Sequence, residues 1–201
     1  HDVRVRTGFN EDGTLACEDY ECNFLVGAYV DNADRVVTKS SYLAAGPYRV
    51  PHVKIVARAL LSHTTPSTAF RGFGLPQIAW GRELNMDEGA RILGIDAVEM
   101  RLRNLPDYQE EFVLSEPPDK ADGRWRETVE KCAELIGWAT PVPPGRGRGI
   151  AIGAKSGPTT GLSYSTVRLL ADGSAVVFSG TSDMGQGART VFAQIAANEL
   201  G

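Results

Sequence analysis

Two stretches, AFRGFGLPQ at Ala69–Gln77 and TSDMGQGARTVF at Thr181–Phe192, restrict this chain more than any other part of it. Each places two glycines one residue apart and then starts a helix, so the backbone must turn sharply where no Cβ stands in the way. In the first, Arg71 lies between Phe70 and Phe73, Gly72 and Gly74 permit close approach, and Pro76 sits at a first-turn position. A core segment has no use for the arginine, and a solvent loop has none for the aromatics. The pattern suits a planar or anionic ligand, with Phe70 and Phe73 as stacking faces and the Arg71 fork as donor. The plainer alternative makes the two phenylalanines core residues at a turn and Arg71 an ordinary ion-pair partner.

In the second stretch Gly185 and Gly187 flank Gln186 just before a helix. Backbone N–H groups converge there on the positive end of the helix dipole, which favours anions. The Gln186 carboxamide can donate and accept at once, which suits a heterocycle edge. The alternative is a simple connector whose glycines adopt positive φ and whose helix is capped by Asp183 or Ser182. The stretch is neither the lysine-bearing phosphate loop nor the dinucleotide fingerprint. Together the two loops suggest one flat, phosphate-bearing cofactor held from two lobes.

The surrounding pattern predicts an α+β chain of two mixed α/β lobes with hairpins and strand–glycine loop–helix units. Val3–Phe9 and Thr14–Tyr29 read as a hairpin around N-E-D-G, a polar stretch follows, and Val53–Leu61 reads as another strand. A helix is predicted over Pro76–Leu93 with Ile78, Ala79, Leu84, Ala90 and Leu93 on its apolar face, ended by Gly94. Asp96 and Glu99 form the pattern of a capping box for a short helix to about Asn104, with Ile95 and Met100 as its staple. Residues 106–123 lose periodicity and read as a linker, so that 1–105 is a first lobe and 124–201 a second. The second contains a helix over Trp125–Ile136 with Cys132 on its apolar face and an extended run at Ile150–Ala154. A hairpin over Ser163–Ser179 and a final helix with Val191, Phe192, Ile195, Ala196 and Leu200 inward complete it.

Charge and cysteine usage exclude several classes. With 25 acidic against 21 basic residues the net charge is −4, which gives no basic stripe for nucleic acid. Cys17, Cys22 and Cys132 form no C-x-x-C pair and have no histidine at ligand spacing, so neither a zinc site nor a disulfide framework is expected. His1, His52 and His63 read as surface residues rather than metal ligands, and Tyr48-Arg49 as a structural corner. No leader and no apolar run approaching about eighteen residues is present, so the reading is soluble, non-membrane and cytoplasmic. His1 leads directly into a strand and the last helix runs to Gly201, which suggests an internal segment of a longer chain.

AFRGFGLPQ with its helix, EMRLRNL at Glu99–Leu105, and DMGQGARTVFAQIAANELG at Asp183–Gly201 resemble the large, molybdopterin-binding subunit of the xanthine dehydrogenase and aldehyde oxidase family. AGPYRVP at Ala45–Pro51 and RGIAIG at Arg148–Gly153 are similar to the same family. The resemblance implies a molybdenum hydroxylase acting on an N-heteroaromatic or aldehyde substrate at a molybdopterin centre. Electrons would pass to 2Fe–2S clusters and often FAD on other domains or subunits, and the remainder of the same subunit would be a further partner.

By the same resemblance Arg71 matches the arginine beside the metal centre and Phe73 the ring that packs on an aromatic substrate. Phe70 and Gly72 flank them on the cofactor side, and Met184, Gly185, Gln186 and Gly187 match the pterin-holding loop. Lys39 is the nearest basic residue to the position where purine-hydroxylating relatives carry an arginine; an ammonium is no bidentate fork, which argues against purines. Arg71-Gly72-Phe73 stands where the carbon monoxide dehydrogenase branch carries a cysteine loop, which argues against that branch. The family's glutamate base lies beyond the DMGQG helix, so Glu83, Glu99 and Glu199 are not assigned that role, and this polypeptide alone is expected to turn over little or nothing. Two other readings stay open: a non-redox binding module for a phosphorylated small molecule, and a structural assembly piece.

Overall fold

A computed structural model of the chain describes residues 1–112, 119–155 and 162–201, in two compact units, His1–Ser156 and Gly157–Gly201. The first contains strands β1 (Asp2–Phe9), β2 (Leu15–Gly27) and β3 (His52–Leu61). Its helices are α1 (Ala33–Tyr42), α2 (Leu75–Leu93), α3 (Ala97–Asn104) and α4 (Trp125–Leu135), with a short pair β4 (Glu111–Phe112) and β5 (Asp119–Lys120). The second contains β6 (Ser165–Leu169), β7 (Ala175–Ser179) and α5 (Ala188–Leu200). None of the described helices is long and apolar enough to cross a membrane.

The sheet runs β1-β2-β3, antiparallel between the first two strands and parallel between the last two. The expected hairpin turn closes through Asn10 N–H to Thr14 O and Gly13 N–H to Asn10 O, each 2.9 Å. A parallel pair needs a crossover, and α1 is part of it. That helix falls in the segment read from sequence as a polar stretch. Its propensity is low: Val36, Val37 and Thr38 are β-branched, and Thr38, Ser40 and Ser41 turn their hydroxyls back onto carbonyls of the preceding turn.

Alternation on β2 sends Glu18, Tyr20, Cys22, Phe24 and Val26 inward. Most of these meet Ala33 and Val37 of α1 and Ile78 of α2 in one cluster. A second cluster joins Leu15 and Tyr48 to Met86 and Ala90 of α2, Val98 and Met100 of α3, and Val129 and Ala133 of α4, with Ile150 and Ile152 packed against it. In packing, therefore, α4 and Ile150–Ile152 go with the first unit; residues 113–118 of the expected linker lie outside those described.

The face of α2 differs from the expected one. Leu84 is exposed, whereas Arg82 and Glu83 are buried, because the helix carries a charged layer between the two apolar clusters. Glu83 Oε1 accepts from Tyr48 Oη at 3.0 Å and Arg82 Nε at 3.2 Å; Oε2 accepts from Arg101 Nε at 2.9 Å and Ile152 N–H at 3.0 Å. Arg82 donates onward to Ala44 O at 2.9 Å and Ile152 O at 2.7 Å. Gly46, at φ +66°, lies against this guanidinium, where any Cβ would collide with it. Such mutual satisfaction is what permits charges to be buried.

The capping box of α3 is half made. Asp96 accepts from Val98 N–H and Glu99 N–H, but Glu99 pairs with Arg103 Nε at 2.9 Å instead of reaching back. Cys132, expected on the apolar face of α4, is exposed. In the second unit the Asp172-Gly173 turn forms with Asp172 accepting from Ser174 N–H at 2.9 Å. The apolar face expected of α5 is not covered: Val191, Ile195 and Leu200 are exposed, as are Leu169 and Phe178 of the hairpin.

Glu18 is buried with Oε2 accepting from Tyr20 Oη at 2.8 Å and Oε1 without a partner. Burial pushes its pKa up to about 7, against the lowering pull of the Tyr20 hydrogen bond and of Arg82. The folded state thus holds this proton more tightly than the unfolded chain, so stability falls as pH rises from about 4.5 to about 7. Urea unfolding of Glu18→Gln should show a gain on the order of 2–3 kcal/mol at pH 8 that vanishes near pH 4. An equal effect at both pH values would exclude this linkage.

Candidate functional site

The first loop leaves β3 and enters α2 through three consecutive residues with positive φ: Gly72 at +97°, Phe73 at +51° and Gly74 at +78°. Phe73 N–H donates to Phe70 O at 2.8 Å and Leu75 N–H to Gly72 O at 3.2 Å, which closes the turn. A Cβ on Gly74 would approach Phe24 of β2 and Ser40 of α1 to within 3.3 Å, so the loop is pressed onto the sheet and α1 at this point. A left-handed phenylalanine is strained by about 1–2 kcal/mol, a cost concentrated at functional turns.

The rings are not core residues. Phe70 is 83% exposed, Phe73 is half-buried and Arg71 is exposed, so the alternative that treats both phenylalanines as core does not describe this turn. Lys39 lies in the last turn of α1, half-buried, next to the Ser40 that faces Gly74. The α2 N-terminus contributes little as an anion site. Pro76 has no N–H, Leu75 N–H is used within the turn, and Gly74 brings no capping side chain.

The second loop, in the second unit, is built around its own side chains. Gln186 Oε1 accepts from Met184 N–H at 2.7 Å and Gln186 Nε2 donates to Ser182 O at 2.8 Å. Asp183 accepts from Gly185 N–H at 2.7 Å and Arg189 N–H at 3.5 Å, reaching across the start of α5 as its cap. The Gly185 N–H, with those of Arg189, Gly187 and Ala188, holds the Asp183 carboxyl below the usual carboxylate value. The helix end expected to bind an external anion is thus capped by Asp183, while Gln186 keeps a second N–H and a second lone pair for a ligand. Gly185 and Gly187 have φ of +102° and +78°, and a Cβ on Gly187 would meet open space. Met184 is exposed.

Two features of the first unit escaped the sequence reading. Lys155 places its ammonium 5.2 Å from the Phe73 ring centroid. The Arg82–Glu83 pair holds Ile152 by both its N–H and its carbonyl. The only sequence signals were an adjacent arginine and glutamate on a helix and the R-G-I-A-I-G run. Among the described residues no group of three or more His, Cys, Asp or Glu could hold a metal ion.

Residues 1–105 match the molybdopterin cofactor-binding domain family, and residues 124–201 match a second family of that description. The nicotinate dehydrogenase large molybdopterin subunit of Eubacterium barkeri is 32% identical over 66% of this chain and 31% of its own length. The xanthine dehydrogenase molybdenum-binding subunit of Escherichia coli O157:H7 is 30% identical over 96% of this chain and 27% of its own. Among solved structures, quinoline 2-oxidoreductase from Pseudomonas putida 86 superposes with a TM-score of 0.71 at 23% identity, over 98% of this chain and 28% of that one. The chain spans less than a third of each of these proteins.

Proposed function

Since this chain belongs to the molybdopterin cofactor-binding family, we propose that it is part of a molybdenum hydroxylase that oxidises an N-heteroaromatic or aldehyde substrate. That cofactor, when bound, supplies two-electron oxidation of an electron-poor carbon. The residues fit it chemically: a guanidinium, an exposed phenylalanine beside a half-buried one, a carboxamide with bonding capacity to spare, and glycines that leave the backbone approachable. Gln186 would hydrogen-bond the pterin, and Met184, Gly185 and Gly187 would hold it along the loop. Phe70 and Gly72 would flank the cofactor in the first unit. Arg71 would orient and stabilise anionic oxygen at the reacting end, and Phe73 would stack on the substrate ring. Lys39 would stand at the substrate side as a point charge.

The observation that carries the reading is the Phe70–Gly74 turn, where strain and aromatic exposure coincide beside an arginine without serving the core. Iron–sulfur and flavin carriers, with the remainder of the subunit, would be the partners. A cytoplasmic setting belongs to the same reading. In the complete subunit, Gly185→Val should lower molybdenum and pterin content at least about tenfold, because a β-branched residue resists φ near +102°. Metal analysis and pterin fluorescence after release provide the readout. A wild-type subunit that carries neither molybdenum nor pterin would overturn the reading.

A further inference from the structure

The strained Phe70–Gly74 turn rests on a seat built from two distant parts of the chain. A Cβ on Gly74 would stand 3.2 Å from Ser40 Cβ and 3.3 Å from both Ser40 Oγ and Phe24 Cε1. Ser40 of α1 is 0% exposed and Phe24 of β2 is 1% exposed, so neither neighbour has room to yield. At the other glycine of the turn, a Cβ on Gly72 would meet the Pro76 ring at 2.9 Å. The turn is thus fitted against the first turn of its own helix and against α1. The Ser40 hydroxyl is committed within α1, donating to Val36 O at 2.8 Å and Val37 O at 3.1 Å. What matters to Gly74 at this contact is that the side chain is small.

We infer that Ser40 is a positioning residue: acting through Gly74, it sets how Arg71 and Phe73 are presented to a ligand. A methyl group added at position 40 finds no free volume. It must displace either Phe24, which is packed with Val37 and Ile78, or the turn. The turn gives way first, because two backbone bonds close it and Phe73 is already strained at φ +51°.

The catalytic half of this inference rests on the role proposed above for Arg71; the seat itself does not. The test compares the complete subunit with Ser40→Val and Ser40→Ala, using hydrogen exchange of the segment 69–77. Ser40→Val should exchange there at least about fivefold faster, with the α1 and β2 segments unchanged, whereas Ser40→Ala, which adds no atom, should exchange as the wild type does. At equal molybdenum content Ser40→Val should lower kcat about tenfold. In an Arg71→Met background the same substitution should lower kcat less than about threefold, because the group that it displaces is already gone. If Ser40→Val unfolds the subunit, Ser40→Thr carries the same comparison with one methyl added and the hydroxyl kept. Unchanged exchange in the enlarged variants, equal acceleration in Ser40→Ala, or the same fall in kcat in both backgrounds would each overturn the inference. A wild-type subunit without molybdenum would remove the hydroxylase reading, and the exchange comparison would still decide for or against the seat.

Discussion

Replacing Arg71 by methionine in the complete subunit should lower kcat by two orders of magnitude or more while the thermal midpoint and the molybdenum content stay close to wild type. The size follows from the role proposed for it. A fixed donor that meets charge developing in the transition state contributes about 10²–10³ in rate, and methionine keeps the length of the side chain but no donor. The expected indifference of the fold follows from position. Arg71 is exposed in a turn closed by the backbone bonds Phe73 N–H to Phe70 O and Leu75 N–H to Gly72 O, which the substitution leaves alone. Steady-state kinetics beside thermal unfolding separate the two effects. Wild-type turnover in this variant would remove Arg71 from the chemistry.

The largest effect on stability is expected at Glu83. Its carboxylate is the shared counter-charge of Arg82 and Arg101, whose side chains are 1% and 0% exposed. Glu83→Ala leaves two guanidinium groups buried without it and also strips acceptors from Tyr48 and Ile152, so a loss of about 3–5 kcal/mol is expected in denaturant unfolding. Glu83→Gln keeps the shape and part of the hydrogen bonding and should lose less. A loss below about 1 kcal/mol for the alanine variant would mean that the layer adds little to the fold.

What sequence could reveal here follows from how local each signal is. The β1–β2 turn, the ends of α2 at Gly74 and Gly94, and the Asp172-Gly173 turn were legible because glycine, proline and aspartate act on their immediate neighbours. Helix α1 was not, since its apolar content is small and only the parallel β2–β3 pairing requires a crossover there. The burial of Arg82 and Glu83 in place of Leu84 was hidden for a related reason: periodicity assumes that charges face water, and here partners from Ala44 to Ile152 make the opposite arrangement stable. At the candidate site, the aromatic and arginine turn could be found from residue types alone. The inward folding of Gln186 and the Asp183 cap could be named as alternatives but not chosen without coordinates.

Arg82 and Glu83 hold Ile152 by its N–H and carbonyl while its side chain packs against the apolar cluster, so the position accepts another apolar residue but not proline. A substitution there that keeps an apolar side chain leaves both backbone bonds, and with them the charged layer of α2, in place.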